Sequence, residues 1–157
     1  METRVIEISD YELERGKPMP SKIHSIVQSK LLFLLNMYHG MRFDIFSELE
    51  IELNFQRSVP DISLYPKGQL DMSFDEVRVT QAPSLTIEIL SPTQALGDLL
   101  IKMKKNIDQG VKSVWIILPE TKTVYVFNHK KEQSTFIDGS IVDHESDIKI
   151  KMKELFA

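Results

Sequence analysis

Apolar residues recur at helical spacing along one stretch near the beginning of the chain. Ser21 is typical of a helix N-cap, and Gly40 is typical of a residue that ends a helix. Between them the apolar side chains fall on one face of a helix: Ile23, Ile26, Val27, Leu31, Leu34, Leu35 and Tyr38. The spacing therefore predicts an amphipathic helix that packs one face against a core.

After this helix the period changes from helical to alternating, which is typical of strands. Apolar and acidic residues alternate over residues 43–53, and we expect a single strand there with one wet face. The apolar runs at residues 59–65 and 84–90 predict two further strands. Residues 66–83 are polar and turn-prone, which predicts a long loop with a short strand at residues 77–80.

The rest of the chain predicts one more helix and four strands, at residues 94–109, 113–118, 123–128, 133–137 and 148–152. A strand, a helix and a strand in succession form a right-handed crossover, which makes strands 84–90 and 113–118 parallel. This order predicts an α/β or α+β fold with a mixed sheet flanked by helices. We expect residues 1–157 to form a single domain, since this length buries a core by itself.

The composition excludes several classes of protein. The 157 residues include no Cys, so neither a disulfide framework nor a thiolate metal site is expected. No apolar run approaches the roughly 18 residues of a membrane span, and the first 20 residues lack the layout of a secretory signal. We therefore expect a cytoplasmic protein without a membrane partner. The formal charge of −4 argues against strong nonspecific binding to nucleic acid.

Two carboxylates lie inside segments that are predicted to be buried or half-buried strands. Asp61 follows Pro60 in strand 59–65, and Glu88 lies in strand 84–90. Ionised carboxylates are costly there unless a cation compensates them. Successive side chains of a strand point to opposite faces, and each acid falls on the polar face of its strand. If the strands are neighbours, the two acids bracket a site for Mg²⁺ or Mn²⁺, which prefer carboxylate and water oxygens.

Lys102 lies on the predicted helix at residues 94–109, four residues after Asp98. One interpretation is an ion pair between the two side chains on the helix surface, which contributes little stability. The other interpretation has Lys102 reach toward Glu88, where its charge orients a water or stabilises a phosphate. The spacing alone favours the ion pair.

These segments, in this order, resemble the PD-(D/E)XK nuclease superfamily and, more closely, the Uma-two family of restriction endonucleases. The resemblance rests on PSKIHSIVQSKL (20–31), VPDISLY (59–65), APSLTIEILSP (82–92), the Asp98…Lys102 pair and GVKSVWIILPETKTVYVF (110–127). It implies a restriction-endonuclease-like sheet, a Mg²⁺ (or Mn²⁺) site formed by Asp61 and Glu88, and hydrolysis of DNA phosphodiester bonds by a metal-activated water.

The resemblance also implies roles for three further residues. Lys102 takes the place of the lysine that the family carries on the helix after the second acid. His24 is similar to a histidine in the family's first helix, although it also fits a simple first-turn residue. Glu48 matches an acid just before the Pro-Asp strand, but an exposed acidic face shared with Glu50 and Glu52 is slightly favoured.

Two positions depart from the family's pattern. Asn106 stands where the family has a tyrosine, and Leu118 stands where it often has an aspartate. Neither is an expected metal ligand, so the expectation remains a Mg²⁺-dependent DNA endonuclease. The departures and the acidic charge favour the alternative, a catalytically inactive nucleic-acid-binding or protein-interaction module. A hydrolase of small phosphoesters is also left open. Cleavage of both DNA strands would need two sites, which makes a homodimer an expectation.

Overall fold

A computed structural model describes residues 8–157 and shows four helices and eleven strands there. The helices are α1 (Asp10–Arg15), α2 (Lys22–His39), α3 (Leu96–Asp108) and α4 (Met152–Leu155). The strands are β1 (Phe43–Ser47), β2 (Glu50–Leu53), β3 (Gln56–Ser58), β4 (Ile62–Pro66), β5 (Arg78–Val79), β6 (Leu85–Ile89), β7 (Ser113–Leu118), β8 (Thr123–Phe127), β9 (Gln133–Phe136), β10 (Ser140–Asp143) and β11 (Ile148–Lys151). None of the four helices is both long and apolar enough to cross a membrane.

Six strands form the central sheet, in the order β1-β4-β6-β7-β8-β9. The pair β6–β7 is parallel because α3 connects the two strands as a crossover, and the other four neighbouring pairs are antiparallel. The mixed sheet and its parallel pair agree with the sequence prediction. Beside this sheet, β2 pairs with β3 and β5, and β10 forms a hairpin with β11.

Helices cover both faces of the central sheet. The buried stripe of α2 packs against one face through Val27, Leu31, Leu34 and Leu35. The buried stripe of α3 packs on the other side through Leu99, Met103 and Ile107. Along β6, Leu85, Ile87 and Ile89 join the core that includes α2, whereas the Thr86 hydroxyl lies 3.4 Å from the Asn106 amide nitrogen on α3. Glu88 shares the face of Thr86, so it points to the α3 side of the sheet.

The prediction of a single strand over residues 43–53 is wrong. The chain forms β1 and β2 there, and the two strands belong to different sheets. Glu48, between them, adopts a left-handed backbone with φ of 51°. The alternating pattern does not reveal this turn, because Glu48 falls where the alternation expects an acidic residue.

Four short elements had no sequence prediction, namely α1, β3, β10 and α4. The most consequential is α1, which has clear signals at both ends. Ser9 caps its N-terminus by accepting a hydrogen bond from the Glu12 amide at 3.2 Å, and Gly16 ends it with φ of 70°. The Ser-x-x-Glu spacing is that of a capping box, so this helix was readable from the sequence. Because this helix was not predicted, no role was predicted for Lys17, which directly follows Gly16.

A buried carboxylate ties the β10–β11 hairpin to the central sheet. Asp143 is 1% exposed, and its Oδ2 accepts hydrogen bonds from the Ser113 hydroxyl at 2.7 Å and the Trp115 indole nitrogen at 2.8 Å. Its Oδ1 accepts a hydrogen bond from the Glu145 amide at 3.0 Å. Because both oxygens have donors, the cost of burying this acid is offset.

We expect Asp143→Ala to lower the free energy of unfolding by about 3 kcal/mol, because two buried donors lose their acceptor. Urea denaturation followed by the fluorescence of the single tryptophan, Trp115, measures the change. Asp138→Ala at an exposed position is the matched control, with an expected change under about 0.5 kcal/mol. Similar small losses in both variants would contradict a structural role for Asp143.

Candidate metal centre

Asp61 and Glu88 lie at one end of the β4–β6 pair. The strands are antiparallel neighbours with Ile62 opposite Ile87, so Asp61, which directly precedes β4, lies at the same end of the pair as Glu88. The predicted strand over residues 59–65 thus begins later than expected, at Ile62. Asp61 is 1% exposed and Glu88 is 5% exposed. The two strands are thus neighbours, as a shared site requires, and both acids are buried.

Three donors hold the Asp61 side chain. Its Oδ1 lies 2.7 Å from the Lys17 ammonium, and its Oδ2 accepts a hydrogen bond from the Ile89 amide at 2.7 Å. The His24 Nε2 lies 3.0 Å from the same Oδ2. Burial raises the pKa of Asp61, but the hydrogen bond from His24 and the charge of Lys17 outweigh it and hold this pKa below its ordinary value. Asp61 is therefore an ionised carboxylate at neutral pH.

Glu88 has the opposite electrostatic character. Burial raises the pKa of Glu88, and the negative charge of Asp61 raises it further, to about 8. The positive charges of Lys17 and Lys102 act in the other direction without cancelling this effect. Glu88 therefore carries a proton at neutral pH when no further cation is present. An additional cation beside both acids would favour the ionised form of Glu88.

Lys17 belongs to this cluster, although the sequence analysis did not single it out. Its side chain is 5% exposed, and its ammonium lies 3.6 Å from the Glu48 Oε1 as well as 2.7 Å from Asp61. Burial lowers the pKa of Lys17, but the charges of Asp61 and Glu88 outweigh it and raise this pKa above its ordinary value. The only sequence signal near it was the capping box of α1, which predicts the helix whose C-cap, Gly16, directly precedes Lys17.

The fold brings His24 and Glu48 close to the cluster of Asp61, Glu88 and Lys17, which we call the centre. The His24 ring contacts Asp61 through Nε2, while its Nδ1 is buried without a hydrogen-bond partner in the described part of the chain. The Glu48 Oε1 accepts a hydrogen bond from the Tyr11 hydroxyl at 2.9 Å. The slightly favoured interpretation of Glu48 as part of an exposed acidic face is wrong, because its side chain is half-buried between α1 and the centre.

Lys102 and Asp98 differ in their relation to the centre. Lys102 is half-buried on α3, and its positive charge lowers the pKa of Glu88. Asp98 is exposed, and none of the ion pairs found over residues 8–157 joins it to Lys102. The predicted surface ion pair is thus absent, and the structure does not bring Asp98 to the two acids.

The donor set suits a hard divalent cation. Asp61, Glu88 and Glu48 offer carboxylate oxygens, which Mg²⁺ and Mn²⁺ prefer to nitrogen or sulfur ligands. No group of three or more His, Asp or Glu side chains within residues 8–157 is arranged to hold a metal. The cation that Asp61 and Glu48 share is instead the Lys17 ammonium. The oxygen ligands of these acids therefore suit a divalent cation, whereas their present arrangement holds the ammonium group of Lys17.

A groove of about 440 Å³ borders the centre on the His24 side. It lies between the N-terminal end of α2 and the ends of β6 and β7 where Leu90 and Leu118 stand. Its walls are mostly apolar, with hydroxyl groups from Ser21 and Ser91. The groove gives a bound molecule an approach to His24, and through His24 to Asp61.

The family model Uma2, described as "Putative restriction endonuclease", matches residues 2–152. The chain belongs to this family. The family that the sequence motifs indicated is therefore confirmed. Proteins with the restriction-endonuclease-like fold generally use divalent metal ions. Among curated proteins, none matches this chain.

A solved structure from Anabaena variabilis ATCC 29413 is similar, and it is described as "a putative nuclease belonging to DUF820". The TM-score is 0.79 with 27% sequence identity, over 89% of this chain and 83% of that chain. This likeness confirms the predicted mixed sheet flanked by helices. The two descriptions together support a nuclease function.

The raised pKa of Glu88 makes the stability of the metal-free protein depend on pH. The unfolded carboxyl titrates near 4.5 and the folded one near 8, so the folded state binds more protons between these values. Stability therefore falls as pH rises from about 5 to 8, with a slope of up to about 1.4 kcal/mol per pH unit. Urea denaturation in a chelating buffer at several pH values measures this slope.

Glu88→Gln should flatten this slope and exceed the wild type in stability above about pH 8, because its neutral amide has no charge to desolvate. Glu76→Gln at an exposed position is the matched control and should keep the wild-type slope. An unchanged slope in Glu88→Gln would show that other groups set the pH dependence.

Proposed function

We propose that this chain is a divalent-cation-dependent endonuclease that hydrolyses DNA phosphodiester bonds. In this proposal Asp61 and Glu88 are ligands of Mg²⁺ or Mn²⁺, and Lys102 is the electrostatic group of the reaction. The observation that carries the proposal is the placement of two buried acids at the same end of the paired strands β4 and β6. The nuclease descriptions of the family and of the similar structure support the same reaction class.

Asp61 and Glu88 would hold the cation in different ways. Asp61 is ionised and oriented in advance, because His24 and the Ile89 amide fix its Oδ2. Glu88 would be the second ligand, and it would have to lose its proton to hold a divalent cation. A divalent cation held between these carboxylates would supply a Lewis acid for the phosphate and lower the pKa of an attacking water.

Lys102 provides positive charge on the α3 side of Glu88. In the proposed reaction it stabilises the negative charge that develops on the phosphate, or orients the attacking water. Lys104 and Lys105 are exposed on the same helix and offer phosphate contacts that do not depend on sequence. We propose that residues 1–157 act as one domain, and that two copies form a homodimer for cleavage of both strands.

One observation supports the alternative of a catalytically inactive module that binds nucleic acid or a protein. The Lys17 ammonium already contacts Asp61 and lies beside Glu48, so the acids have a cation without any metal. The formal charge of −4 also limits nonspecific binding to DNA. The two proposals differ in whether the protein binds a divalent cation and cleaves DNA.

We expect titration calorimetry to detect binding of Mg²⁺ and Mn²⁺ to the wild type and none to the Asp61→Ala/Glu88→Ala double variant, because the ligands are removed. Circular dichroism checks that the variant is folded. Asp138→Ala/Glu76→Ala removes two exposed acids and should bind as the wild type does. Indistinguishable traces from the wild type and the ligand variant would support the inactive module.

Lys102→Ala should slow Mg²⁺-dependent cleavage of plasmid DNA by about 100-fold or more, because it removes charge that stabilises the transition state. Its affinity for Mn²⁺ should change by less than about tenfold, since Lys102 is not a proposed ligand. Lys130→Ala, at an exposed position, controls for loss of one positive charge and should cleave normally. A wild-type rate for Lys102→Ala would remove this residue from the mechanism.

A further inference from the structure

Lys17 is held by acidic groups on two sides. Its ammonium contacts the Asp61 Oδ1 at 2.7 Å and lies 3.6 Å from the Glu48 Oε1. The carboxyl groups of Asp61 and Glu48 thus both act on one buried cation. A buried lysine with these neighbours fulfils the electrostatic role that a metal ion has in a carboxylate site.

The oxygen that Lys17 contacts is the one that a metal ion needs. The Asp61 Oδ2 already accepts a hydrogen bond from the Ile89 amide and lies 3.0 Å from His24 Nε2. A metal ion held by Asp61 would therefore have to use Oδ1, the oxygen that the Lys17 ammonium contacts. With Lys17 in its present place, two cations would share one oxygen within about 5 Å of each other, and they would repel.

The segment that carries Lys17 is attached to the rest of the protein mainly through Glu48 and Asp61. No residue of α1 is buried, and α1 is only six residues long. The Tyr11 hydroxyl donates to the Glu48 side chain at 2.9 Å, and the Arg15 guanidinium donates to the Glu48 carbonyl at 3.2 Å. Release of Lys17 would thus leave α1 with few contacts, which favours local opening.

We propose that Lys17 is a tethered cation that competes with the divalent metal ion for Asp61, so that metal binding displaces the Lys17 side chain and loosens α1. This inference rests on the proposed metal centre. It makes Lys17 a positioning residue, which holds Asp61 and Glu48 together before the metal ion arrives and sets the affinity at which the metal ion replaces it.

Titration calorimetry with Mn²⁺ on three proteins tests the competition. Lys17→Met keeps the length and apolar stem of the side chain and removes its charge, so it should bind Mn²⁺ about tenfold more tightly than the wild type, or better. Lys22→Met removes an exposed lysine five residues away and should keep the wild-type affinity. An affinity of Lys17→Met equal to or weaker than that of the wild type would overturn the proposal.

Amide hydrogen exchange provides a readout that needs no variant. In the wild type, Mn²⁺ should speed exchange over residues 10–16, because the ammonium that fastens this segment is displaced. In Lys17→Met, exchange there should be fast without metal and should change little when Mn²⁺ is added. Wild-type exchange that slows or stays constant on metal binding would overturn the displacement.

The two proposals fail in different ways. If none of the three proteins binds Mn²⁺, the metal centre is refuted and the competition with it. If the wild type and Lys17→Met bind Mn²⁺ equally, and exchange over residues 10–16 does not change, the metal centre stands and only the competition is refuted.

Discussion

The buried carboxylate of Asp61 is the point at which separate parts of the chain meet. Its side chain contacts Lys17 after α1, His24 on α2 and the Ile89 amide on β6. Its carbonyl accepts a hydrogen bond from the Glu48 amide after β1 at 3.1 Å. An ionised group at this depth is unstable without such donors. The position of these segments and the charge of Asp61 therefore depend on each other.

The acids Asp61 and Glu88 are only partly compensated by positive charges. Asp61 has two cationic or polar side chains and an amide, whereas Glu88 keeps a proton because burial and the charge of Asp61 oppose its ionisation. A structural network would gain stability from a neutral residue at this place. An acid that is kept near a negative charge is instead typical of functional sites, where a ligand supplies the missing positive charge. In the proposed metal centre, a bound cation would supply that charge.

The sequence predicts an element correctly where a single local pattern specifies it. The Ser21 cap and apolar stripe of α2, the crossover through α3 and the polar faces that carry Asp61 and Glu88 all follow from local periodicity. The sequence prediction was wrong at Glu48, because a left-handed residue can interrupt a pattern that otherwise continues. It also passed over α1, whose caps are clear but whose six residues contribute nothing to the core.

The sequence by itself determined the family, most of the order of elements and the pairing of the two segments that carry Asp61 and Glu88. Those features depend on side-chain period and on motif spacing, which are local properties of the chain. Only the tertiary structure decided which groups surround the acids. Lys17 and Glu48 come from other parts of the chain, and the pKa of Lys17 depends on burial and on charges that meet only in the fold. The same reason separates Asp98 from Lys102, because spacing on a helix permits an ion pair without requiring it.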